Sequence, residues 1–372
     1  MLKYFISVAL ISFTYIASAQ FTTQSKQETV ITCHYDEVLT MDVWTSYGPS
    51  APINEFKDFI RKKYGKNVDL HVRRTLKPED FYDRVRAGIS DIISPSHNFL
   101  KDERTHFIKN NLIIPIDPEI VTNLKDVQTH FIENDFVTSK GKLYGVPLAA
   151  GPYGLLYNVD QIATAPTSWN ILWAPEMKGR YSLSLDFYEA NIYLTALAMG
   201  YKNDQLHDIS LLNTKKFRLK LTQLLTNANF WQGTPHSDAL KKSVLTTSWG
   251  LSTSISGPDA QKWRMAQPKE GVSMWVDYLA VTKNVRRNPF ATTLAMEWAN
   301  FVLGKSFQQT ILEKKYLSPL KISSLPSMEL ESDIKYLSDQ RAYWPVLTVR
   351  ERNGLKLMYD QILAQIKKEK SR

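Results

Sequence analysis

Apolar positions along this chain fall into two periods. The helical one appears first around Phe56, Phe59 and Ile60, which share a face, with Asn54 placed to cap the helix and Gly65 to stop it. The same spacing at Leu294, Trp298, Phe301 and Val302 predicts a helix over about 291–303, ended by Gly304. Leu355, Met358, Ile362 and Ile366 predict a last helix over about 349–368. Between these lie short β-prone runs: Asp91–Ser94, followed by a loop at Pro95-Ser96-His97-Asn98; Leu143–Leu148, leading into 151–158; and Trp275–Val281. Strand-like and helix-like segments alternate, which predicts α/β layers around largely parallel sheets. If the chain leaves one lobe along the second run and returns along the third, it builds two lobes with a cleft between them.

The third run carries a carboxylate where none is expected. In a strand, Trp275 and Asp277 project from the same side, amid the apolar neighbours Val276, Leu279, Ala280 and Val281. A carboxylate at such a position is costly unless a cation answers it. Two sources stand open: Lys283, Arg286 or Arg287 close by in sequence, or a bound ligand.

The N-terminal segment bears on compartment. Lys3, the apolar run 5–16 and Ala17-Ser18-Ala19 read as a signal peptide over 1–19, with the mature chain beginning near Gln20 in the periplasm. No cysteine sits at that junction, so a lipid anchor is not expected there. Cys33 is the one cysteine of 372 residues, which excludes an internal disulfide. A hydrophobic content of 43% and a charged content of 22% describe a globular chain, long enough for two domains.

The formal charge of +9 raises the question of a nucleic-acid partner. The basic residues are scattered, apart from Lys367-Lys368-Glu369-Lys370, and no zinc-finger spacing or RNP signature accompanies them. No nucleic acid is expected, and the basic tail reads as a solvated helix end.

A series of segments resembles a known family. Val43-Trp44-Thr45-Ser46-Tyr47, Ser90–Ser96, Tyr144-Gly145-Val146-Pro147, Thr167–Gly179, and Pro268-Lys269-Glu270-Gly271 leading into Trp275-Val276-Asp277 follow the order and spacing of the periplasmic spermidine/putrescine-binding proteins of ABC transporters. The resemblance runs from about residue 40 to the C-terminus. It implies an α/β, two-lobed type II periplasmic binding protein clamshell, with lobe one at 28–147 and 279–318 and lobe two at 148–278 and 319–372. It also implies a monomer that closes around a polyamine and delivers it to a membrane permease. The same branch includes norspermidine sensors acting through cyclic-di-GMP enzymes in biofilm control. The alternative partner is therefore the periplasmic domain of a membrane sensor.

A polyamine site needs carboxylates at intervals for its ammonium groups and aromatic walls for the methylenes between them. Carried over position by position, the resemblance implies ligand contacts at Trp44, Thr45, Tyr47, Ser96, Asp186, Glu189, Trp249, Trp275, Asp277 and Tyr316. Asp277 would take one amine, and Asp186 with Glu189 the amine at the other end. Duller roles stand beside these. Asp186 and Glu189 fit a helix capping box, Trp249 and Trp275 fit a core, Tyr316 fits a packed connection and Thr45 a turn. Asn98 replaces a tyrosine of the spermidine-binding relatives and Pro345 a glutamine, which leaves the choice of polyamine open.

Catalysis has little support. Thiaminase I shares the clamshell and uses a cysteine nucleophile, but Cys33 lies outside every cleft segment. The seven histidines form no Ser-His-Asp arrangement or metal spacing, and only His97, in the cleft loop, is a candidate ligand contact. Ferric iron would call for adjacent tyrosines, which the chain lacks, and an α-carboxylate ligand for an arginine in the cleft. Neither an enzyme nor a cofactor is expected.

Overall fold

The computed structural model describes residues 34–371, apart from 46, 76, 252–257, 322, 324–334 and 338–341. The signal segment, its cleavage junction and Cys33 lie outside the described residues. In β1 (Glu37–Trp44), Leu39, Met41 and Val43 face the core in alternation. The helix Ser50–Tyr64 follows and buries Pro52, Phe56 and Ile60, and β2 (Val68–Thr75) then pairs with β1 in parallel. The helix begins four residues before Asn54, with Pro49 in the capping position. Proline is accepted in a first turn because its missing N–H would have no helical partner there. Gly65 does end it, at φ 66°, with its N–H returning to the Arg61 carbonyl.

β3 is shorter than its sequence run, Ile92–Ile93, and lies parallel to β1. Asp91 flanks the strand: its N–H donates to the Thr40 carbonyl, and its carboxylate accepts the Thr40 N–H and pairs with Arg287. The run at 143–148 is split as well. β4 (Thr138–Ser139) and β5 (Lys142–Leu143) form a hairpin whose turn residues, Lys140 and Gly141, both have positive φ. β6 then runs from Val146 to Asn158.

The remaining strands are β7 (Tyr181–Ser184), β8 (Asn229–Trp231), β9 (Leu245–Trp249), β10 (Trp263–Met265), β11 (Ser273–Val281) and β12 (Ala342–Tyr343). One sheet carries the order β2-β1-β3-β11-β6-β9-β7-β8, with β10 beside β6 and β12 beside β11. The sheet is mixed where the sequence predicted mostly parallel pairing. Its outer pairs are parallel, but β11 runs antiparallel to both β3 and β6, and β6 runs antiparallel to β9. The helix predicted from Ala291 starts at Pro289, capped by the Asn288 side chain on the Ala291 N–H. The last helix spans Val349–Lys370 and begins with a capping box of Thr348 and Glu351.

Two hydrophobic cores form around this sheet, and β6 and β11 contribute to both. Val146, Leu148, Ala149 and Ala150 of β6 pack into the first core, and Tyr153, Leu155 and Leu156 into the second. In β11, Met274 belongs to the second core, and the residues from Trp275 onward to the first. A third segment joins the seam at Leu317, which exchanges both backbone hydrogen bonds with Ala150. All side chains of interest below are presented by segments that meet at this seam or flank it.

Candidate functional site

Asp277 sits on the seam, 6% exposed, in a strand whose nine residues are all buried. Neither Lys283, Arg286 nor Arg287 answers it. Arg287 is committed to Glu37 and Asp91, and among the described residues Asp277 has no cationic partner. Its two oxygens are held by neutral donors: Tyr47 Oη donates to Oδ2 at 2.7 Å and Ser96 Oγ to Oδ1 at 2.6 Å. Burial pushes its pKa up to about 7, against the pull of the Ser96 and Tyr47 hydrogen bonds and of the nearby Trp44 indole. The Trp44 N–H itself is buried without a hydrogen-bond partner. A register shift falls between Asp277 and Tyr278 against β6, a bulge of the kind that re-aims side chains beside sites.

Aromatic rings frame this carboxylate. Trp275 meets Tyr316 edge-on at 5.4 Å between centroids, and Tyr316 meets Tyr47 at 6.5 Å. Two glycines make room for them. A Cβ on Gly151 would come within 2.6 Å of the Trp275 indole, and one on Gly250 within 2.9 Å of the Tyr316 ring. Gly250 also has a φ of 141°, which other residues rarely adopt. The structure thus brings Tyr47, Ser96, Trp275, Asp277 and Tyr316 together, with Trp44 alongside. Thr45 does not join them; it is exposed in a turn, its hydroxyl 3.5 Å from the Thr75 carbonyl.

Trp249, Asp186 and Glu189 lie in a neighbouring cluster. The Trp249 ring packs against Tyr153 at 4.7 Å, Phe187 at 5.1 Å and Trp344 at 5.8 Å. The capping box proposed for Asp186 and Glu189 is not formed. The helix spans Tyr188–Ala198, Phe187 holds the capping position without a side-chain bond, and Asp186 is exposed, accepting the Gly233 N–H at 2.5 Å. Asp186 therefore does not share a helix face with Glu189. Burial raises the Glu189 pKa, opposed by the Tyr188 side chain and by the charges of Arg352 and Arg104.

His97 is a structural residue where the sequence offered a ligand contact. It is 1% exposed; Nδ1 accepts the Val276 N–H at 3.2 Å, and Nε2 therefore carries the proton it donates to the Trp344 carbonyl at 2.7 Å. Burial lowers its pKa to about 4. The sequence reading missed Asp102, Arg104 and Arg352, which converge near Glu189. No local pattern marks them, because Arg352 meets Asp102 from 250 positions away. An open groove of about 520 Å³ lined by Lys101, Asp135, Phe136, Asp204, His207 and Tyr343 includes none of the expected site residues. Among the described residues no group of three or more His, Cys, Asp or Glu side chains could hold a metal.

The model of a family described as bacterial extracellular solute-binding proteins matches residues 87–345. This chain belongs to that family. As a solute-binding protein it binds and releases a ligand and catalyses no reaction. A spermidine/putrescine-binding periplasmic protein of Haemophilus influenzae is 24% identical over 328 residues, covering 83% of this chain and 86% of the relative. Its Escherichia coli counterpart is 26% identical over 299 residues, covering 78% and 80%.

Solved structures show the fold of this solute-binding protein. A spermidine/putrescine ABC transporter substrate-binding protein of Streptococcus pneumoniae superposes with a TM-score of 0.64 at 18% identity, covering 89% of this chain and 98% of that one. A periplasmic thiamin binding protein gives 0.55 at 14% identity, with 87% and 96% covered. The fold is the type II periplasmic binding protein clamshell. No helix among the described residues is long and apolar enough to cross a membrane.

Proposed function

We propose that this solute-binding protein takes up a polyamine of the spermidine, norspermidine and putrescine class in the periplasm and delivers it to an ABC permease. The observation that carries the reading is Asp277: a buried carboxylate held by two hydroxyls, framed by Trp44, Tyr47, Trp275 and Tyr316, and lacking any cation from the chain among the described residues. An ammonium supplies the missing charge, and tryptophan and tyrosine faces attract the cation and cover its methylenes. An anionic ligand would meet repulsion at the same place. The names of the relatives from H. influenzae and E. coli support the same solute class.

In this reading lobe one comprises 28–147 and 279–318, and lobe two 148–278 and 319–372. The sharing of β6 and β11 between two cores supports that division. Trp249 and Asp186 mark the far end of the ligand, Glu189 lies behind them beside Arg352, and Thr45 stands at the rim. Ligand that touches both lobes favours their closed arrangement, which a permease can then distinguish from the open one. The leader over 1–19 would be removed on export. Calorimetric titration with putrescine, spermidine, norspermidine and spermine tests the assignment. Binding of at least one, abolished by Asp277→Ala, is expected; binding of none overturns it.

A further inference from the structure

The two ends of the proposed site differ in charge balance. At Asp277 the chain supplies hydroxyls and no cation. At Glu189 it supplies a guanidinium within ion-pair distance. Arg352 Nη1 lies 3.7 Å from Glu189 Oε1, and both side chains are nearly buried, at 12% and 13% exposed. Arg352 also pairs closely with Asp102, which in turn holds Arg104 at 3.1 Å. Glu79 reaches the other side of Arg104 at 3.4 Å, so three carboxylates share two guanidinium groups here, with Arg352 the guanidinium that faces Glu189. Asp186, by contrast, has only the Gly233 N–H as a partner among the described residues.

Arg352 is fixed in place from both sides of the seam. It belongs to the helix Val349–Lys370, whose Leu355 and Met358 pack in the second core. Asp102 follows Leu100, a residue of the first core, and the adjacent Glu103 accepts the Val349 N–H at 3.0 Å. The guanidinium is thus not a mobile surface charge that a ligand could push into solvent at little cost. A buried pair of this kind is far less screened than an exposed one.

We propose that Arg352 is a specificity-determining residue of this site. By pairing with Glu189 from inside the chain it withdraws that carboxylate from ligand recognition. The site then offers two carboxylates to a polyamine, Asp277 at one end and Asp186 at the other. Such a site matches two ammonium groups, and a third gains little from it. This rests on the polyamine reading above and goes further by stating which carboxylates count ligand charge.

The test is a double-mutant cycle read by calorimetry with a diamine, putrescine, and a triamine, spermidine. In the otherwise native chain, Glu189→Gln is expected to change spermidine affinity less than threefold, and Asp186→Asn to weaken it tenfold or more. Arg352→Met keeps the aliphatic stem and leaves Asp102 its Arg104 partner. It is expected to raise the preference for spermidine over putrescine at least tenfold, and Arg352→Met with Glu189→Gln to return it to the native value. If Glu189→Gln in the native background costs as much as Asp186→Asn, Glu189 takes an ammonium itself and the inference is overturned. That result needs no Arg352 variant to fold. If Asp277→Ala abolishes binding while the Glu189 outcome goes the wrong way, only the role of Arg352 falls. If the native protein binds neither amine, the polyamine reading falls and this inference with it.

Discussion

Tyr47 donates a hydrogen bond from its phenol to Oδ2 of Asp277 at 2.7 Å, across 230 residues of sequence. With Ser96 on the other oxygen, the carboxylate is oriented by groups that cannot neutralise it. In the polyamine reading proposed above, the cation that answers this buried acid is the ligand.

The first prediction concerns pH and binding. Asp277 has a pKa pushed up to about 7 by burial. An ammonium ligand pairs with the ionised form, so binding must release the proton wherever Asp277 is still protonated. Polyamine affinity is therefore expected to rise about tenfold per pH unit up to about pH 7 and then level off. Asp277→Asn should bind weakly and lose this dependence. Isothermal titration at pH 5.5, 6.5, 7.5 and 8.5, in buffers of different ionisation enthalpy to count protons, checks both.

Removing a hydroxyl should move that profile. Tyr47→Phe deletes the donor to Oδ2 while keeping the ring edge against Tyr316. The unsatisfied oxygen favours the protonated acid, so the midpoint of the affinity profile should move to higher pH. A charge-assisted hydrogen bond contributes roughly 1.5–3 kcal/mol, which corresponds to about ten- to a hundredfold in affinity near neutrality. Part of the loss should return at pH 8.5. An unmoved midpoint would show that the phenol does not control the ionisation of Asp277.

Gly151 should tolerate no side chain. Its Cβ would sit 2.6 Å from Cζ2 of Trp275, in a buried strand with little room to adjust. Gly151→Ala is expected to displace the indole and to destabilise the fold by about 1–3 kcal/mol, as overpacking does. Denaturant unfolding measures the second effect and ligand-induced tryptophan fluorescence the first. Native stability together with native affinity would rule out the close contact.

His97 and Asp277 should pull stability in opposite directions with pH. His97 has a folded pKa near 4, below its ordinary 6.5, so its contribution is present above pH 6.5 and is lost as pH falls toward 4. Asp277 has a folded pKa above its ordinary 3.8, so its burial cost is absent below about pH 4 and complete above pH 7. Each shift corresponds to roughly 3–4 kcal/mol at its limit. In Asp277→Asn the relief on acidification is gone. Ligand-free Asp277→Asn should therefore be more stable than the native protein at pH 7.5, with the difference vanishing near pH 4. Urea unfolding across that range measures it.

Part of this molecule was legible from local pattern. The period of Leu355, Met358, Ile362 and Ile366 marked the last helix within two residues of its observed end, and all four are buried. Gly65 stopped its helix as a left-handed cap should. The last helix also starts at Val349 as expected, but two other starts were less legible, since Asn54 lies inside its helix and Phe187, not Asp186, precedes the helix Tyr188–Ala198. A side chain able to cap does so only where the chain also places it in extended backbone at the first turn.

What the sequence by itself determined is the set of periodic elements and the anomaly of Asp277 in a buried strand, because side-chain period and burial cost are local properties. Tertiary structure decided what answers each charge. Arg287, ten residues from Asp277, went to Glu37 and Asp91. Tyr47 and Ser96 came to Asp277 from the segments that follow β1 and β3, and Arg352 came to Asp102 and Glu189. Hydrogen bonds and ion pairs act over a few ångströms in space, whatever the separation along the chain. The pairing of β11 with β3 and β6 sets those distances at Asp277, and the packing of the last helix in the second core sets them at Arg352.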